Sequence, residues 1–252
     1  MFGALHHLLH PTNCYALCAV ARSGAHLLSA GLRATHLAGR PLQYFHAQLA
    51  PKYAARHGLD ASRHFASYVR GLVRLTATPN GVFGFRIESW DLEKFLDRLR
   101  GAGEFGPPDA HELQLLRTAF PRLRYVQLTR EDKLRQAVSK ARAMQTDLWV
   151  AAPDKVGSGE LKFDPSLIRH CLRSSAQAEQ TWAEVFAHNE ITPLAITYED
   201  LCEDYEGTVR RLFDFLQIRW PRGFSLGPPT TVRQSDGTTE DWIARFRALP
   251  NQ

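Results

Sequence analysis

Arg22, Ser23 and Gly24 stand between a short apolar run, Tyr15 to Val20, and a stretch from His26 in which Leu27, Leu28, Gly31 and Leu32 recur at helical spacing. A strand, a small-residue turn carrying a cation and then a helix together aim backbone N–H groups and a helix N-terminus at an anion. Gly24 fits that use, because a side chain there would block close approach of a phosphate to the backbone. The chemistry on offer is a cradle for the 5′-phosphate end of a nucleotide. It is not the P-loop pattern, since no Gly-Lys-Ser/Thr follows. The competing reading is an ordinary tight strand-to-helix connection with a surface arginine.

A second cation stands in the same relation to another run. Arg124 to Thr129 reads as a strand, Arg130 lies at its carboxyl end, and Ser139 follows nine positions later on the next helix. An arginine fork with a hydroxyl suits a terminal phosphate monoester. The plainer alternative pairs Arg130 with Glu131 or Asp132 and leaves Ser139 as a small helix residue.

The elements that must position these groups alternate along the chain. Pro41 forces an extended segment after the first helix, and residues 51–77 read as mostly helical, with Asp60 or Ser62 as a cap. Thr78-Pro79-Asn80-Gly81 is a turn, and Val82 to Ile87 is a strand. Helices follow over 91–100 and 110–120, and another runs from Glu131 to about Trp149. Gly157-Ser158-Gly159 reads as a mobile loop, and Asp164-Pro165 caps a long helix reaching His188. A strand over 193–198, helix over 199–217 and an amphipathic segment over 240–249 complete the chain. The expectation is α/β: a single three-layer domain over residues 1–252 with a mostly parallel central sheet. In such sheets ligands gather outside the carboxyl ends of the strands.

The 252 residues can bury a sizeable core, and 44% hydrophobic with 23% charged content is ordinary for a soluble protein. A net charge of +5, without a Lys/Arg run, suits a polyanionic small ligand and gives no stripe for nucleic acid. Cys14, Cys18, Cys171 and Cys202 form neither CxxC pairs nor metal-ligand spacing, so thiols in a reducing compartment and no metal are expected. No signal peptide is read at the amino terminus, and no stretch approaches the ~18 apolar residues that span a bilayer. The cytoplasm is the expected location.

These residues carry a resemblance. The chain resembles the bacterial trehalose sulfotransferase family, a branch of the sulfotransferases that use 3′-phosphoadenosine 5′-phosphosulfate (PAPS). The likeness runs through Arg22-Ser23-Gly24, Leu32-Arg33-Ala34-Thr35, Ala38-Gly39-x-Pro41, Thr78-Pro79-Asn80-Gly81-Val82, Arg130 with Gln136-Ala137-Val138-Ser139, and Tyr198-Glu199-Asp200-Leu201. It implies a P-loop-like sulfotransferase fold and transfer of a sulfuryl group to a hydroxyl of a carbohydrate, glycolipid or other small metabolite. Arg22, Ser23, Gly24, Ala25 and His26 would line the loop holding the 5′-phosphosulfate, and Arg130 and Ser139 would hold the 3′-phosphate. Arg233 would belong to a basic segment closing over the nucleotide, and a homodimer is implied.

Two departures stand out. The family's loop continues Arg-Ser-Gly-Ser-Thr, whereas Ala25 and His26 stand here and remove both hydroxyls. The family's Gly-x-Pro-x-Glu-Phe-Phe carries a glutamate proposed as the acceptor's base; here the run is Gly39-Arg40-Pro41-Leu42-Gln43-Tyr44-Phe45. Gln43, with Tyr44 beside it, can bind a sugar hydroxyl but cannot take a proton. His46 and His26 are the candidate replacements, and Arg86 would keep a cation near the sulfuryl group. The alternative is a catalytically impaired relative serving as a regulatory module; a nucleotide kinase-like enzyme is disfavoured by the missing Lys-Ser/Thr.

Overall fold

The computed structural model describes residues 13–149, 159–228 and 236–250. Strand β1 (Asn13–Ala19) leads into α1 (Ala25–Ala34), and α2 (Ala50–His57) and α3 (Phe65–Thr76) return to β2 (Val82–Glu88). Next come α4 (Ser89–Ala102), α5 (Glu112–Ala119), β3 (Arg124–Thr129), α6 (Lys133–Thr146) and α7 (Pro165–His188). The chain continues through β4 (Leu194–Thr197), α8 (Tyr198–Glu203), α9 (Tyr205–Leu216) and α10 (Gly237–Arg247).

The four strands form one sheet in the order β2-β1-β3-β4, with every pairing parallel. Because both faces are covered, β1 is an unbroken apolar run rather than an alternating one. Cys14, Ala16 and Cys18 face a cluster built with α3, α4, α5 and α7. Tyr15, Leu17 and Ala19 face a second cluster built with α1 and α9. A third cluster joins α6, α7 and α10 through Val138, Ile168 and Trp242. Helices on both sides of a parallel sheet make this the three-layer α/β architecture.

The segment 51–77 is two helices, not one stretch. Gly58 ends α2 in the left-handed region, and Asp60 folds back on itself, accepting from the Ser62 and Arg63 N–H groups instead of capping α3. Gly157 and Ser158 of the expected loop lie outside the described residues. Asp164 does cap α7, accepting from Leu167 N at 2.9 Å with Pro165 in the first turn. Among the described residues, no helix is long and apolar enough to cross a membrane.

Candidate functional site

Connections leave β1 toward β2 on one side, while β3 leads on to β4 on the other. The crevice between the carboxyl ends of β1 and β3 is therefore where an open parallel sheet accepts ligands. The turn 20–24 hangs over that crevice from β1, and Arg130 follows β3 directly.

Four carbonyls at the turn are tied to the scaffold. Ala19 O accepts from Trp182 Nε1 at 3.3 Å, and Val20 O accepts the Ser23 hydroxyl at 2.6 Å and the Ser23 N–H at 3.2 Å. Ala21 O accepts from Gln136 Nε2 at 2.9 Å, and Arg22 O accepts from Arg130 Nη1 at 3.4 Å. With the carbonyls held inward, the first turn of α1 presents N–H groups that have no acceptor within their own helix. No acidic side chain stands in that turn to compete with an anion. Gly24, at φ 89°, caps α1, and a Cβ there would lie 2.8 Å from the Tyr198 ring. Backbone conformation and packing both require glycine at this position.

Ser23 is fully buried and spends both its hydroxyl and its N–H on closing the turn. Ala25, the first residue of α1, is buried, and His26 is exposed on the same turn.

The two arginines meet. Arg22, itself in the left-handed region at φ 67°, donates from Nε to Ser139 Oγ at 2.9 Å and from Nη1 to the Trp149 carbonyl. Arg130 is 8% exposed and lies over the Tyr198 ring at 4.3 Å, with Glu199 Oε1 4.0 Å from its Nε. Arg22, Arg130 and Ser139 thus line one wall, with the backbone cradle as a separate element beside it. Burial, then the neighbouring Arg130, pull the Arg22 pKa down to about 10, with Arg142 adding to this and Tyr198 opposing it. Burial likewise lowers that of Arg130, against Tyr198, Glu199 and Asp132. Two desolvated like charges that lower each other's pKa are eased by a nearby anion.

Glu199 steadies the wall, accepting from the Glu131 N–H at 2.9 Å and the Asp132 N–H at 3.4 Å. Arg233 lies outside the described residues. α10 docks on α6 through Asp236, whose carboxylate accepts two hydrogen bonds from Arg142 at 2.7 and 2.8 Å. That pair holds the Asp236 pKa down at about 2.

A second group of polar residues collects where β2 ends. The segment 40–46 runs alongside β2, its Leu42 O accepting from Arg86 N at 2.9 Å. Gly39, at φ 72°, allows the approach, since a Cβ would stand 2.8 Å from the Gly84 nitrogen. Tyr44 is buried against Phe83 and donates its hydroxyl to Arg40 O at 2.7 Å, while Phe45 stacks on Phe95 with ring centres 4.4 Å apart. Tyr44, expected at the acceptor, is therefore an anchor of the segment. Burying aromatics of this size stabilises by about 2–3 kcal/mol each, enough to fix where Gln43 lies.

Gln43 is half-buried, and its Nε2 donates to Glu88 Oε1 at 3.2 Å. Glu88, the last residue of β2, pairs in register with Ala19 at the end of β1. It is 6% exposed, and its Oε2 has no hydrogen-bond partner among the described residues. Burial pushes its pKa up to about 7; Arg86 opposes, Asp91 adds and Lys140 opposes. Arg86 is buried, its pKa lowered by desolvation against the charges of Glu88 and Tyr53. Lys140, next to Ser139 on α6, donates to Ser174 Oγ at 2.9 Å and lies 5.8 Å from the ring of the exposed Trp90. His46 accepts from Gln48 N at 3.2 Å and stands near Asp91, whose pKa burial raises while His46 and Lys94 oppose.

Known proteins match this chain over nearly its whole length. The model of the Stf0 sulphotransferase family matches residues 14–249. The chain belongs to that family. It is 27% identical over 269 residues to a trehalose 2-sulfotransferase of Mycolicibacterium smegmatis, covering 94% of this chain and 95% of that protein. A trehalose 2-sulfotransferase of Mycobacterium tuberculosis is 27% identical over 256 residues, covering 93% and 94%. Among solved structures, the sulfotransferase domain from the curacin biosynthetic pathway aligns with a TM-score of 0.45 at 16% identity, over 84% of this chain and 76% of that one.

In this Stf0 chain, Glu88, Lys140, Gln136 and Tyr198 were not foreseen as site residues. Lys140 follows Ser139 on α6 and is buried, which its charge alone does not suggest. Glu88 reads as the polar end of a strand.

Proposed function

We propose that this chain is a PAPS-dependent sulfotransferase that transfers a sulfuryl group to a hydroxyl of a carbohydrate acceptor, of the size and polarity of trehalose. The observation that carries the reading is the wall made by Arg22, Arg130 and Ser139 beside an N–H cradle at the switch point of the sheet. A nucleotide with phosphates at both ends fits this pair of features: the cradle takes the 5′-phosphosulfate, and the arginine–serine wall takes the 3′-phosphate. The bound donor supplies the activated sulfuryl group. The N–H groups of α1 stabilise charge that grows on the bridging oxygen, the main lever in such transfers. His26, exposed on the first turn of α1, is a further candidate donor to the same oxygens.

The acceptor side is the β2 end. Gln43 offers an amide suited to a sugar hydroxyl, and the exposed Trp90 ring beside Lys140 offers an apolar face to a pyranose. His46, whose Nδ1 accepts from the Gln48 N–H, stands near Asp91 at the same end. The described cysteines are all free thiols, three of them buried, which supports a reducing compartment, the cytoplasm.

Incubation with sulfur-labelled PAPS and a panel of sugars tests the reading. Label is expected on trehalose or a related disaccharide. Tight binding of 3′-phosphoadenosine 5′-phosphate with no label on any acceptor would instead make the chain a binding module. Absence of nucleotide binding would overturn both.

A further inference from the structure

We propose that Glu88 is the catalytic residue that takes the proton from the acceptor hydroxyl. The inference rests on the sulfotransferase reading above. A carboxylate at the end of a buried strand, with one oxygen held by an amide and the other without a partner among the described residues, is a group kept for a substrate rather than for the fold. Structural carboxylates in this protein are saturated by contrast: Asp236 by Arg142 and the Thr239 N–H, and Asp200 by the Thr197 N–H and Arg211.

Its position suits the step. Glu88 lies in register with Ala19, one residue before the turn that forms the cradle, so an acceptor on Gln43 stands between the carboxylate and the sulfuryl group. Gln43 covers Glu88 through a 3.2 Å contact, at the long end of the range for an N–H···O bond. An acceptor hydroxyl replaces that contact, donating to Glu88 while the displaced amide turns to another sugar oxygen. Arg86 and Lys140 keep positive charge near the carboxylate, and Asp91 keeps a negative one; the charges facing Glu88 thus come from β2, α4 and α6. Burial holds the group's pKa at about 7, close to the working pH of a general base.

The step balances. Glu88 receives the hydroxyl proton as the acceptor oxygen forms its bond to sulfur. The bond from sulfur to the bridging oxygen breaks, with its electron pair remaining on the 5′-phosphate. 3′-Phosphoadenosine 5′-phosphate leaves, and Glu88 returns its proton to solvent.

The experiment compares wild type, Glu88→Gln and Glu88→Asp with PAPS and trehalose across pH, together with binding of 3′-phosphoadenosine 5′-phosphate. Glu88→Gln is expected to lower kcat by about 100-fold or more with KM for trehalose little changed, and to abolish the acidic limb of the kcat profile. Glu88→Asp is expected to keep part of kcat and that limb. Nucleotide binding should stay within about threefold of wild type, well under the roughly tenfold change that marks 1.4 kcal/mol. An unaltered kcat and acidic limb in Glu88→Gln would overturn the assignment. Difference infrared spectra of nucleotide-bound protein, with Glu88→Gln as control, give a readout independent of the acceptor. A protonated carboxyl band that disappears near about pH 7 supports the proposal, and a carboxylate already ionised at about pH 5 overturns it. Failure of wild type to bind the nucleotide would instead strike the sulfotransferase reading itself.

Discussion

The Nε of Arg22 donates to Ser139 Oγ at 2.9 Å, across 117 positions of sequence. This bond joins the turn after β1 to the helix after β3, the two strand ends that the proposed reading makes one anion site. Arg130 reinforces it by donating to the Arg22 carbonyl.

The tightness of that junction appears at Gly24. Its φ of 89° and the 2.8 Å from a built Cβ to the Tyr198 ring mean that Gly24→Ala must strain the turn or push Tyr198 from beneath Arg130. A stability loss of about 1–3 kcal/mol is expected, with weaker nucleotide binding, by urea unfolding and calorimetric titration. A variant as stable as wild type with unchanged affinity would contradict this geometry.

Gln43→Glu reads from sequence alone as a change that preserves or raises transfer, because it restores a carboxylate to the segment after Pro41. The contact with Glu88 reverses that expectation. Two carboxylates at hydrogen-bond distance share a proton, and the pair holds it to higher pH than either would alone. Transfer at neutral pH should fall, with the acidic limb moved up by about one unit or more. Activity equal to wild type at all pH values would show that the two side chains are not in contact.

Glu88 also makes a prediction about stability. Its pKa rises from 4.5 unfolded to about 7 folded, so the folded state holds its proton more tightly. Stability therefore falls as pH rises from about 4.5 to about 7 and stays low above that, by a difference of about 3 kcal/mol. Glu88→Gln should match wild type near about pH 4.5 and exceed it at about pH 8, by an amount of that order. Unfolding midpoints in urea at the two pH values check the sign.

The strands and the turn were legible because a parallel strand buried on both faces leaves an uninterrupted apolar run, as Tyr15 to Val20 does. Arg130 was legible because it ends such a run. The break at Gly58 was not, since the helical spacing of Phe65 to Val73 hides the turn made by Asp60. Glu88 and Lys140 were illegible for a different reason. Their types suit solvent, and only the packing of Gln43 and Trp90 around them shows where they point. The reach of Arg22 to Ser139 is set by the sheet order, which local pattern does not carry.

The most direct test of a grip on a doubly phosphorylated adenosine is calorimetric titration of wild type and Arg130→Ala with 3′-phosphoadenosine 5′-phosphate and with adenosine 5′-phosphate. Arg130→Ala should weaken the first by about 30-fold or more, the roughly 2 kcal/mol of a lost charge-assisted hydrogen bond, and leave the second nearly unchanged. Equal losses for the two nucleotides would contradict the account.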